Sequence, residues 1–386
     1  MPLLTRLYGS ESFGIFAVYY SIANIAGIPS NLRFDLTIPI AENDEESAVL
    51  SSLSFVLALI TGLLVGMIFF IPAARDLFKT MPQGYMVWIL TSVSIVLIGW
   101  IQVFAQRLMR NGRLKYLSAR HIVERLGFVI FALIAFNFGL SLTGLIWAQT
   151  LALFLSLLAI VFGARWKFQF SLKQTLIVMK KYGDFPRKNV ASTALQLLTS
   201  QLPMIIYSRF FSASELGYLS LSQRLIDTPN SLIMSSLNVV YYRRLLVATR
   251  THYQRIFLRS VSLGILAFGL PCLLAAVVAG PVFTWLFGVN WLPSSVFFVA
   301  LLPLAFTRLM YSIHQSYLLI MRKLSVDLYL SGALFAAQLL GIFVGVHYSS
   351  QLLTPVLVSS NLAALVFGLG LIIIFKVVRS ESSKES

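Results

Sequence analysis

Long apolar runs recur along the chain, separated by short polar stretches where Pro and Gly gather. About 20 predominantly apolar residues suffice for a helix to cross the roughly 30 Å hydrocarbon core of a bilayer. The pattern predicts spans over residues 11–34, 47–71, 85–104, 118–139, 142–163, 189–208, 213–236, 257–279, 292–315, 325–345 and 354–376. Breaks are expected at Ile71-Pro72, Met81-Pro82-Gln83-Gly84, Gly280-Pro281 and Thr354-Pro355. The expectation is therefore an all-α polytopic membrane protein of about eleven transmembrane helices, with its two termini on opposite sides.

Composition agrees, with 58% hydrophobic and 11% charged residues and a mean hydropathy of +0.83, far from the usage of soluble domains. The sole cysteine, Cys272, excludes a disulfide within the chain. Lys and Arg stay on the cytoplasmic side of short loops, and 24 of the 30 basic residues fall in alternate connections or the C-terminal tail. These include the stretches 107–125, 165–188 and 243–259, whereas Arg6, Arg75, Lys79 and Arg209 form the opposite set. The C-terminus is thus expected in the cytoplasm. That sorting accounts for most of the net charge of +16 without a nucleic-acid partner.

A repeat appears at an offset of 203 residues. Arg6-Leu7-Tyr8-Gly9-Ser10-Glu11-Ser12-Phe13-Gly14 aligns with Arg209-Phe210-Phe211-Ser212-Ala213-Ser214-Glu215-Leu216-Gly217, each leading into a span. Copies running in the same direction imply parallel repeats about an axis along the membrane normal. The expected domains are an N-terminal bundle over 1–163, an amphipathic cytoplasmic connector over 164–188, a C-terminal bundle over 189–378 and a polar tail over 379–386. The first half has five spans and the second six. Residues 1–5 read as the outer end of a further helix, so a truncated or late start is expected.

Leu3-Leu4-Thr5-Arg6-Leu7-Tyr8, Phe13-Gly14 and Leu32-Arg33-Phe34-Asp35-Leu36-Thr37-Ile38 resemble the N-terminal region of bacterial polysaccharide-unit flippases. Those proteins form the Wzx-like branch of the multidrug/oligosaccharidyl-lipid/polysaccharide exporter superfamily. Lys181-Tyr182-Gly183-Asp184-Phe185-Pro186, Gln223-Arg224-Leu225 with Pro229, and Phe287-Gly288-Val289-Asn290-Trp291 resemble its second half. The resemblance implies two six-helix bundles around a central cavity that opens alternately to each side, with the family's first helix missing here. It also implies undecaprenyl-diphosphate-linked oligosaccharide as substrate, membrane lipids, a polysaccharide polymerase and a chain-length regulator as partners, and no cofactor.

Ionisable residues inside spans mark functional positions by default. Arg224 lies about 16 Å into its helix at 1.5 Å per residue, near the midplane, with Asp227 three residues on. Arg suits phosphate oxygens, so the pair reads as a phosphate-binding arginine balanced by an aspartate; a structural ion pair within one helix explains it equally. The repeat aligns Ser21 with Arg224 and Asn24 with Asp227, so both copies are polar there. Asn189, Ser192, Thr193, Gln196, Thr199 and Ser200 recur at helical spacing, a lining for sugar hydroxyls or a set of interhelical bonds. Arg308 can reach toward the interface, and Arg33 with Asp35 ends the first span where a lipid diphosphate would first be met.

Residues 166–182 mix aromatic and aliphatic residues with lysines, as in a helix lying on the membrane surface. The four histidines show no metal-ligand spacing. A cation-coupled drug exporter of the same superfamily shares the architecture, but its cargo favours an acidic cavity. A membrane polymerase or glycosyltransferase needs large outer loops or a carboxylate cluster, and neither is apparent in the sequence.

Overall fold

The computed structural model describes residues 1–76, 78–82, 84–164, 171–247, 250–321 and 323–382, and these contain helices and no strand. They divide into two compact units, Leu3–Gly217 and Tyr218–Ser386. Unit 1 holds α1 (Pro2–Leu7), α2 (Ser10–Gly27), α3 (Asp44–Phe70), α4 (Pro72–Arg75), α5 (Tyr85–Arg110), α6 (Leu114–Asn137), α7 (Gly144–Ala164), α8 (Leu172–Tyr182) and α9 (Asp184–Phe210). Helix α10 (Ala213–Val247) leads from it into unit 2, where α11 (Arg250–Gly264) continues through a π turn, Ile265–Gly269, into α12 (Leu270–Phe287). Unit 2 then holds α13 (Leu292–His314), α14 (Ser316–Ile320), α15 (Leu324–Tyr348) and α16 (Leu353–Ser382).

Every predicted span falls on a long helix, and the limits move for local reasons. Helix α2 stops at Gly27 because Pro29 has no N–H to continue the ladder. Residues 28–43 instead fold into turns, with Leu32 and Arg33 at φ of 49° and 60°. The Gly280-Pro281 break does not form, since Pro281 lies inside α12, as membrane helices tolerate. Pro355 lies in the first turn of α16, where a missing N–H costs little.

Seven stretches of the described residues are long and apolar enough to cross a membrane, drawn from α3, α5, α7, the α11–α12 run, α13, α15 and α16. They turn large apolar side chains outward: Met67 is 64% exposed and Val277 80%. Such a surface needs lipid rather than water around it. The chain is an integral membrane protein. Helices α2, α6, α9 and α10 are as long but more polar, which sets them apart as the elements to search for a site.

In unit 1, α6 packs on α7, α5 on α3 and α7, and α2 on α5 and α9. Tyr19 of α2 is fully buried and its hydroxyl meets Ser94 Oγ at 2.6 Å and Thr150 Oγ1 at 3.2 Å, joining α2, α5 and α7. The basic end of the unit is tied by Arg110. Its guanidinium donates to the carbonyl of Ala41 at 2.7 Å and to those of Ile38 and Pro39, and meets Asp44 at 3.1 Å. Arg110→Ala should leave those carbonyls unpaired, at about 1–3 kcal/mol, and raise proteolysis within residues 28–43.

Helix α8 supplies the described part of the amphipathic segment expected over 166–182; residues 166–170 lie outside the described residues. Lys181 Nζ donates to Glu46 at 2.6 Å and pairs with Glu42 at 2.8 Å, while Tyr182 Oη donates to Glu46 at 2.7 Å. The two carboxylates hold the Lys181 ammonium above its ordinary range. Leu172, Leu176 and Ile177 are exposed on the same helix.

The 203-residue offset recurs in the helix ends. Helix α1 ends at Leu7 and α9 at Phe210; α2 begins at Ser10 and α10 at Ala213. Within unit 1 the repeat-related glycines meet, since a Cβ on Gly14 would strike the Ala213 carbonyl and one on Gly217 the Ser10 carbonyl.

Unit 2 pairs α15 with α16, α13 with α16 and α12 with α13. Helix α10 is fastened to α13 by Ser222 Oγ, which donates to the Ser294 carbonyl at 2.7 Å. Fully buried His314 meets the Met310 carbonyl through Nδ1 at 2.7 Å and Ser260 Oγ through Nε2 at 2.9 Å, so its nitrogens are engaged in packing α13 against α11.

Candidate functional site

Polar residues on α10 and α13 come together in unit 2. Asp227 of α10 meets Arg308 of α13, Oδ1 to Nη1 3.4 Å, with side chains 61% and 48% exposed. They lie about 21 and 24 Å from the starts of their helices at 1.5 Å per residue, hence at matching depth. Thr228 and Ser231 extend the exposed face, and their hydroxyls donate to the Arg224 and Thr228 carbonyls at 2.8 Å. Arg224 is half-buried.

The partner of Asp227 differs from expectation. The sequence offers Arg224 on the same helix, about 60° away around the axis; in the structure Asp227 is exposed while Arg224 is partly covered. Arg308 reaches the carboxylate across the helix gap instead. Arg308 was expected to reach toward the interface; its guanidinium meets Asp227.

In unit 1 the repeat-related residues take other roles. Ser21 is buried and donates to Gln201 Oε1 at 3.1 Å, fastening α2 to α9. Asn24 donates to the Tyr20 carbonyl at 2.7 Å and lines a cavity of about 280 Å³. On α9, Gln196 is exposed and Asn189 half-buried. Thr199 and Ser200 bond back to the Leu195 and Leu197 carbonyls, which satisfies their hydroxyls within the helix; the Ser192 side chain lies outside what the structure describes.

Arg33 occupies the left-handed position before the short turn Phe34–Thr37. Its Nη1 lies 3.7 Å from Asp35 and 3.5 Å from Gln102 of α5. Burial pushes the Asp35 carboxyl above the usual carboxylate range against the pull of Arg33. Arg33 is only 16% exposed, so it serves the packing of the turn at least as much as any ligand.

The 280 Å³ cavity brings together residues that the sequence did not single out. It lies between α2, α5, α6 and α7, and Arg120, His121, Glu124, Arg125 and Gln149 line it beside Asn24 and Gln102. The sequence reading placed Arg120 and Arg125 in a basic connection. They stand inside the expected span 118–139, which the structure extends back to Leu114, and the spacing of Arg120 and Glu124 is the signal that could have placed both on one face.

The geometry is that of a membrane bundle with charged groups on helices α6, α10 and α13. Residues 1–242, more than half of the chain, match the family model described as polysaccharide biosynthesis protein. The chain belongs to that family. Its relatives include the succinoglycan biosynthesis transport protein ExoT of Rhizobium meliloti (strain 1021), 25% identical over 249 residues. The match covers 63% of this chain and 48% of that protein, so the chain spans about half the length of this curated relative.

Two solved structures establish the fold. The lipid II flippase MurJ in an inward closed conformation aligns with a TM-score of 0.78 at 14% identity, over 99% of this chain and 87% of that one. An inward-facing multidrug resistance MATE family transporter of the MOP superfamily aligns at 0.69 and 15% identity, over 100% and 95%. This member of the polysaccharide biosynthesis family therefore has the fold of these two transporters.

Proposed function

We propose that this protein translocates a polyprenyl-diphosphate-linked oligosaccharide repeat unit across the bacterial inner membrane by alternating access, for synthesis of a surface polysaccharide. The family supports a place in polysaccharide biosynthesis, and the fold is one shared with transporters. The observation that carries the reading is the exposed Asp227–Arg308 pair with half-buried Arg224 on the same helix. Charges well inside membrane helices need water or a charged partner, and two arginines, Arg224 and Arg308, stand with Asp227 on these helices. An anionic diphosphate suits them. A cationic drug does not, because Arg308 already holds the carboxylate that would attract it.

The carrier is undecaprenyl diphosphate in this reading, and no reaction is catalysed. O-antigen, capsule and exopolysaccharide repeat units are all of the right chemistry. Expression in a strain lacking its own repeat-unit flippase should restore surface polymer; failure at normal abundance, with matching repeat units present, would count against the reading. Reporter fusions at Gln174 and Thr251 should report cytoplasm and those at Asn290 and Ser349 the outside. The reverse pattern would overturn the orientation.

A further inference from the structure

We propose that the cavity of unit 1 is a binding subsite for an acidic sugar residue of the repeat unit. The proposal rests on the flippase reading. At about 280 Å³ the cavity is just under the range of roughly 300–1,000 Å³ usual for small-molecule sites, so it fits a single sugar rather than a whole repeat unit.

Its chemistry selects the ligand. Arg120 and Arg125 face it with one acid, Glu124. The Arg120 guanidinium is engaged at one end, with Nη2 3.9 Å from Glu124 and 3.3 Å from His121 Nδ1. Its Nε is buried and has no hydrogen-bond partner among the described residues. A buried donor left unpaired is costly, and a carboxylate oxygen would satisfy it while accepting from the rest of the planar fork. Around this anchor stand three amides, Asn24, Gln102 and Gln149, which can both donate to and accept from hydroxyls. Tyr20 is 40% exposed beside them, and an aromatic face covers the C–H face of a pyranose. Gln102 also joins the cavity to Arg33.

The test uses the full chain in lipid nanodiscs and saturation-transfer NMR, with glucuronate as the acidic probe and glucose as its neutral counterpart. Wild-type protein should give a glucuronate signal well above that of glucose. Arg120→Gln with Arg125→Gln should lower it at least about tenfold, the loss of one or both charge-assisted contacts, and Arg120→Lys should give an intermediate value because an ammonium lacks the fork. Three results would overturn the proposal: no glucuronate signal from wild type, an undiminished signal from the double variant, or equal loss of both sugars, which would mean a collapsed wall. If wild type bound glucuronate yet exported no lipid-linked oligosaccharide, the flippase reading would fail and the acidic-sugar site would stand.

Discussion

Arg224→Ala is expected to lower export of surface polysaccharide by roughly ten- to hundredfold while the protein still inserts in the membrane. The residue lies about 16 Å along α10 from Ala213 at 1.5 Å per residue and presents a planar fork that an alanine removes. Hydrogen bonds to a charged group are worth about 1.5–3 kcal/mol, which sets the size of the loss. Arg224→Lys should recover part of the function, since an ammonium retains the charge without the bidentate geometry.

Asp227 and Arg308 supply the control. Breaking their pair by Asp227→Asn leaves a guanidinium with its partner gone, and because both side chains are half-exposed the cost should be small. The double variant Asp227→Asn with Arg308→Gln should then keep its abundance but lose export, if Arg308 also meets the diphosphate. Equal export by the double variant and wild type would restrict the site to Arg224.

Gly14→Leu and Gly217→Leu should each reduce folded protein in the membrane severely. At both positions a side chain would meet a backbone carbonyl of the crossing helix rather than a movable side chain. Overpacking costs typically about 1–3 kcal/mol, and a rigid obstacle places these two at the upper end or beyond. Gly332→Ala is the matched control, because nothing lies within 4 Å of the added Cβ. Thermal unfolding of purified protein should separate the three; an unchanged melting temperature in Gly217→Leu would mean the crossing is not a packing contact.

Helix positions were legible because each membrane helix must hide its backbone inside an apolar run of the right length. The repeat was legible for a similar reason: arginine, aromatic and glycine recur together where a helix enters the membrane. What stayed hidden was pairing between helices. Sequence spacing pointed Asp227 to Arg224, and only the packing of α10 on α13 brings Arg308 within 3.4 Å. The repeat marked Ser21 as polar by alignment with Arg224, but spacing could not show that its hydroxyl donates to Gln201 of α9. Arg120 and Arg125 were absorbed into the basic stretch 107–125 although the span expected over 118–139 contains both. The Gly280-Pro281 pair misled in the other direction, since a membrane helix can continue through a proline that would end a soluble one.

The central claim is tested most directly by purified protein reconstituted into vesicles that carry a fluorescent polyprenyl-diphosphate oligosaccharide in both leaflets. An enzyme added outside then cleaves only sugar that faces out. With the wild-type chain, nearly all of the lipid-linked sugar should become cleavable, and in Arg224→Ala vesicles it should become so roughly ten- to hundredfold more slowly. Cleavage that stops at the outward-facing portion in vesicles shown to contain folded wild-type protein would contradict the account.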